Sequence, residues 1–73
     1  MQELYYTQSL NLASFLMAKG FSPVGKRKIE RGVTIYFTKT DELHEAVREY
    51  NKNEDLKKFI SAFRELKNYL NNN

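Results

Sequence analysis

Residues 33 to 38, "VTIYFT", alternate: Val33, Ile35 and Phe37 fall on one side and Thr34, Tyr36 and Thr38 on the other. A period of two is the pattern of a strand with one face buried. The flanking segments keep a different period. Leu10, Ala13, Leu16 and Met17 recur at helical spacing, as do Leu43, Ala46, Val47 and Tyr50, and then Leu56, Phe59, Ile60, Phe63, Leu66 and Leu70. A strand of this kind must bury its inner face. The amphipathic helices on either side of it are the available cover. The expectation is an α+β fold, a small sheet of two to three strands with helices packed on one face. Its order is β-α-β-β-α-α, in a single domain over residues 1–73.

The punctuation supports that order. "LYYT" (residues 4–7) reads as a brief aromatic strand. Thr7 or Ser9 can cap the helix that follows, and Gly20 supplies the left-handed residue that ends it. Leu12 and Phe15 widen the apolar face of this helix, which places it against the sheet. Thr40 can cap the next helix, with Asp41 and Glu42 in its first turn, where the helix dipole favours anions. Asn53, after the break at "NKN", can cap a last helix that fades over residues 71–73. The core predicted from these stripes is Leu16, Ile35, Phe37, Val47, Phe59, Ile60 and Phe63.

"GKRKIERGVTIYFTKT" (residues 25–40) reads as a hairpin. A three-residue loop, Glu30-Arg31-Gly32, pairs Ile29 with Val33 on the buried face and puts Gly32 where a positive φ is wanted. A two-residue loop at Arg31-Gly32 turns Ile29 outward. The three-residue loop is the preferred reading. It sets Lys26 opposite Tyr36 and Lys28 opposite Thr34. Pro23 has no N–H to donate, so the first hairpin strand begins after it or runs along an edge.

Charge is concentrated in the same segment. The net charge is +3. Residues 1–20 sum to zero. Residues 21–40 carry five cations (Lys26, Arg27, Lys28, Arg31, Lys39) against Glu30, or +4. Residues 41–73 carry six cations and seven anions, or −1. A tyrosine among lysines on an open sheet is the composition of a stacking platform in a basic groove. The competing reading is that lysines on an edge strand block edge-to-edge pairing. Lys26, Arg27, Lys28, Arg31, Tyr36 and Lys39 are therefore the candidate contacts to nucleic acid or to an acidic protein surface.

At this point four stretches taken together resemble a known family. They are "YYTQSLNLASFLMAKGF", the strand "VTIYF", "TDELHEAVREY" and "DLKKFISAFRELKNYL". The chain is similar, over nearly its whole length, to a family of small bacterial and phage proteins known only as a domain of unknown function. The resemblance is carried by the Tyr6-Thr7 start, by Leu12, Ala13, Leu16, Lys19, Gly20 and Phe21, by Phe37, Leu43 and Tyr50, and by Ala62, Leu66 and Lys67. The chain departs from the pattern after Tyr50, where Asn51-Lys52-Asn53 stands in place of an aromatic-Asn-Gly turn. The resemblance implies a shared fold and brings no catalytic residue.

The residues themselves point away from catalysis. There is no cysteine, which excludes disulfides, thiolate metal sites and thiol nucleophiles. His44, the one histidine, lies near Glu42 and Glu45 without the three or four convergent donors a metal requires. It reads as a solvated helix residue. Ser9 and Ser14 read as cap and helix body. Gly25-Lys26 has no second glycine at phosphate-loop spacing. The expectation is a non-enzymatic accessory domain without cofactor or metal. The N-terminus lacks a basic start and an apolar core, and no apolar run approaches the roughly 20 residues that span a bilayer. A cytoplasmic protein with no membrane contact is expected. Two functions stay open. One is nucleic-acid contact through the basic hairpin. The other is a protein interaction module, either a homodimer or a phage-borne modulator of a host complex. Tyr5, Phe15 and Tyr69 exceed what so small a core needs, which suggests a partner surface, such as a symmetric dimer that covers the exposed sheet edge.

Overall fold

The computed structural model describes residues 3–72. Strand β1 (Leu4–Thr7) leads into helix α1 (Leu10–Ala18); β2 (Gly25–Ile29) and β3 (Gly32–Thr38) form the hairpin; α2 (Asp41–Lys52) and α3 (Glu54–Asn71) close the chain. The three strands make one antiparallel sheet in the order β1-β3-β2. The fold is α+β with the expected element order.

The helix ends fall where the sequence chemistry puts them. Ser9 Oγ accepts from the Leu12 N–H at 3.1 Å, and Thr7 Oγ1 accepts from the Ser9 N–H at 3.0 Å, so both expected capping residues act in one turn. Gly20 closes α1 at φ +105°, a conformation that favours glycine. The next N–H, of Phe21, then reaches back to the Leu16 carbonyl at 3.0 Å. Thr40 Oγ1 accepts from Leu43 N–H at 3.0 Å, and Asn53 Oδ1 accepts from Leu56 N–H at 3.0 Å. The helix α3 extends through Asn71, with Asn72 as its C-cap; Asn73 lies outside the described residues.

The core is small. Leu12, Ala13 and Leu16 of α1, Phe37 of β3, and Leu43 and Ala46 of α2 are buried together; Tyr5, Phe21, Ile35, Val47 and Tyr50 pack half-buried around them. An ion pair between Lys19 and Glu49 at 2.7 Å ties α1 to α2 at the surface. Leu10 and Met17, read as part of the inward face of α1, are exposed. The buried face is centred on residues 12, 13 and 16 instead. His44 is half-buried with its ring edge-on to Tyr5, not fully solvated.

The helix α3 corrects the predicted core most sharply. Phe59 and Phe63 are 66% and 54% exposed, and α3 has no buried residue. The sheet face expected to receive this stripe is already filled by α1 and α2, which pack against each other as well as against Phe37. Only Leu56 and Ile60, near the start of α3, are half-buried.

Candidate nucleic-acid interface

The central strand decides what the uncovered face of the sheet presents. Phe37 and Ile35 point into the helices, so Thr34, Tyr36 and Thr38 point the other way. Directly opposed residues of antiparallel strands share a face. On the β1 side Tyr6 opposes Tyr36 and Leu4 opposes Thr38. On the β2 side Gly25 opposes Tyr36, Arg27 opposes Thr34 and Ile29 opposes Gly32.

This register overturns the expected hairpin. The turn is the two-residue Glu30-Arg31, and Ile29 pairs with Gly32 rather than with Val33. Gly32 does take a positive φ, +155°, but as the first residue of β3. The consequence is a change of face for every residue of β2. Lys26 now opposes Ile35 and Lys28 opposes Val33, on the helix side. Arg27, not the two lysines, shares the open face with Tyr36. The helix layer does not reach far enough to enforce the predicted pairing. The strand β2 is an edge strand with Gly25 to Lys28 all exposed, so its lysines meet water on either face.

The open face therefore holds a pair of tyrosines beside an arginine. Tyr6 is 67% exposed. Its ring centroid lies 6.3 Å from that of Tyr36, with the planes tilted by 56°. Gly25 flanks Tyr36 from the other side. A methyl group built there would sit 3.8 Å from the Tyr36 ring, so that ring lies along the bare backbone of β2. A groove of about 470 Å³ runs from the tyrosines toward the turn, walled by Arg27, Lys28 and Ile29 and floored by the buried Thr34.

Of the six predicted contact residues, the structure gathers five. Tyr36 and Arg27 share the open face. Lys26 and Lys28 project from the same edge strand toward its other side, and Lys28 also borders the groove. Arg31 sits in the turn. Among the described residues Lys26, Arg27, Lys28 and Arg31 form no ion pair; with Glu30 they leave a local charge of four minus one, or +3. Lys39 stands apart. It follows the far end of β3 and pairs with Glu3 at 3.4 Å, while its backbone N–H donates to the Glu3 carbonyl at 3.0 Å.

Sequence reasoning missed Tyr6. The signal was there in the adjacent Tyr5-Tyr6. In a strand one must point in and the other out, and an antiparallel partner for β1 would bring the outward one beside Tyr36. Of the surplus aromatics singled out from the sequence, Tyr5 packs on the core and Phe15 packs 5.5 Å from Tyr50, both half-buried; only Tyr69 stands in solvent.

A family model, a domain of unknown function (DUF5659), matches residues 2–72. The chain belongs to this family. No curated protein and no solved structure matches it significantly. In this DUF5659 chain the residues behind the resemblance serve the fold for the most part: Leu12, Ala13, Leu16, Phe37 and Leu43 are core, Thr7 is part of a cap and Gly20 ends a helix. Among the described residues no helix is long and apolar enough to cross a membrane, and no group of three His, Asp or Glu side chains could hold a metal ion.

Proposed function

We propose that this domain acts by binding, not catalysis, in a bacterial or phage cytoplasm, and that its ligand is single-stranded nucleic acid laid across the open face of the sheet. The observation that carries the reading is the Tyr6–Tyr36 pair, on an uncovered face, with Arg27 one position away and unpaired cations along the adjoining edge. Bases of any identity stack on aromatic rings, and each such stack contributes ~1–3 kcal/mol. The edge cations are placed to follow a phosphate backbone while the rings take the bases. Stacking and charge are indifferent to base identity, so the reading is of binding without strong sequence preference.

The test is fluorescence anisotropy with a labelled oligothymidine and a labelled oligouridine across a salt series. Neutralising three phosphates with Arg27, Lys28 and Arg31 gives a log–log slope of about −2, at roughly −0.7 per single-strand phosphate. Affinity should fall about 20-fold between roughly 50 and 200 mM salt. Tyr36→Ala should weaken binding by about 5- to 150-fold at constant salt while leaving the slope unchanged. No binding at low salt sinks the proposal. Equal binding to a polyglutamate of matched charge, with no effect of Tyr36→Ala, assigns the hairpin to an acidic protein surface instead. A protein interaction module is the second reading, and the exposed apolar stripe of α3 is the observation that favours it.

A further inference from the structure

The chain is more extended than its size requires. A compact domain of this length has a radius of gyration of about 11 Å; this one has 14.1 Å, in an envelope of 51 × 30 × 15 Å. A folded monomer of 8.7 kDa exposes about 4,700 Å². This chain exposes 6242 Å², roughly 1,500 Å² above that expectation. The helix α3 is exposed along its length. It has 18 residues, runs about 27 Å at 1.5 Å per residue, and buries none of them.

The pattern on α3 says what kind of surface would cover it. Leu56, Phe63 and Leu70 recur every seven residues, and Phe59 and Leu66 fall three residues after the first two of them. These are the a and d positions of a heptad, with no charge at any of them. Ile60, next to Phe59, widens this stripe at its start, where α3 borders α1, and beyond it Phe63, Leu66 and Leu70 continue alone at a and d, the seam by which one helix packs on another. Beside the first half of this seam lies a groove of about 670 Å³, bounded by Phe59, Ile60 and Phe63 with Arg64 and Lys67 on α3, and by Leu10 and Asn11 at the start of α1. Leu10 is exposed there, off the core its helix serves.

We infer that this seam is the interface between two copies of the chain, paired antiparallel through α3. The seam is self-complementary in that direction. Phe63 meets Leu66 of the second copy, Phe59 meets its Leu70, and the two-fold axis repeats both layers. The second half of each α3 then lies over the groove between α3 and α1 of the other, which brings Leu10 under cover. A parallel pair would set like helix-dipole ends side by side and leave that groove open. A stable interface removes about 800 Å² per partner, an area within the roughly 1,500 Å² by which the whole chain exceeds a compact monomer. An isologous contact of this kind closes at two copies. The inference stands independently of nucleic-acid binding.

Sedimentation equilibrium on the intact chain should return twice the mass of 8.7 kDa at micromolar concentrations. Phe63→Glu should weaken association at least ~30-fold, while amide spectra of the sheet stay unchanged and those at the start of α1 shift as Leu10 is uncovered. Lys58→Glu, off the seam, should leave the mass at twice the monomer. Orientation is read by cross-linking, since the chain has no cysteine. Under mild oxidation Ile60→Cys chains should couple to Lys67→Cys chains. Leu70→Cys chains that couple to themselves would overturn the antiparallel pairing. A monomeric mass for the intact chain, or one that grows past two copies with concentration, overturns the inference, and so does a wild-type mass retained by Phe63→Glu. A monomer captured by some other protein through α3 would mean that the seam belongs to that protein and not to a second copy.

Discussion

Leu43 is fully buried, at 0% exposure, where α2 meets Leu16 and Phe37. Replacing it with alanine removes about three carbon groups from the centre of a core of six buried apolar residues. Transfer alone is worth about 2.4 kcal/mol at ~0.8 per methylene, and a residual cavity takes the total toward the 2–5 kcal/mol range seen for such changes. A domain of this length has a stability of about 4–11 kcal/mol, so the loss is a large share of the whole. The assay is urea denaturation followed by circular dichroism, at protein concentrations low enough to keep the chain monomeric. With a slope near ~1 kcal/mol per molar, the midpoint should fall by about 3 M. Phe59→Ala is the contrast. The sequence stripe puts Phe59 in the core, at ~3–5 kcal/mol. Because its ring is two-thirds exposed, it should lose below ~2 kcal/mol in the monomer, from the covered third alone. A Leu43→Ala midpoint within about 1 M of wild type, or a Phe59→Ala shift as large as that of Leu43→Ala, would refute this account of the core.

Thr40→Ala should destabilise the domain by ~1 kcal/mol, read from the same denaturation curves, because the Leu43 N–H loses its acceptor. Lys39→Glu should reduce oligonucleotide affinity far less than Arg27→Glu in the anisotropy assay; Lys39 lies at the far end of β3, paired with Glu3, while Arg27 shares a face with Tyr36. Equal losses from the two would mean that only net charge matters and that the platform geometry does not.

The parts of this fold that could be read from the sequence are those fixed by local chemistry. Ser9, Thr40 and Asn53 have cap side chains followed by helical stripes, and Gly20 sits at a helix end, so the helix boundaries follow from neighbouring residues. The alternation of Val33, Ile35 and Phe37 likewise fixes the inner face of β3. The strand β2 offers no such handle. In "GKRKI" only Ile29 is apolar, and a single apolar residue on an edge strand does not determine which way the strand faces. Its register followed from the turn, and with it the split of Lys26 and Lys28 from Tyr36. The stripe on α3 was legible as a stripe, but its amphipathicity says only that something covers one face. What covers it depends on whether the sheet still has room, and α1 and α2 had already filled the sheet. Tyr6 became a site residue only once β1 was seen to lie beside β3, a long-range pairing that neither segment announces alone.

Asn53 is at once the residue that ends α2 and the residue that caps α3. With a single residue between the two helices, the chain has no slack in which to absorb an error of phase. Successive residues of a helix are set about 100° apart. One residue inserted between Asn53 and Leu56 would swing the whole seam by that angle around the axis, with composition, charge and helical content almost unaltered. Phe59 and Phe63 would then look away from Leu10, and the groove would open onto a polar flank. The junction works like the keyway of a shaft: it transmits the orientation of the core to a surface well outside it, and its length in residues, more than its identity, is what the rest of α3 depends on.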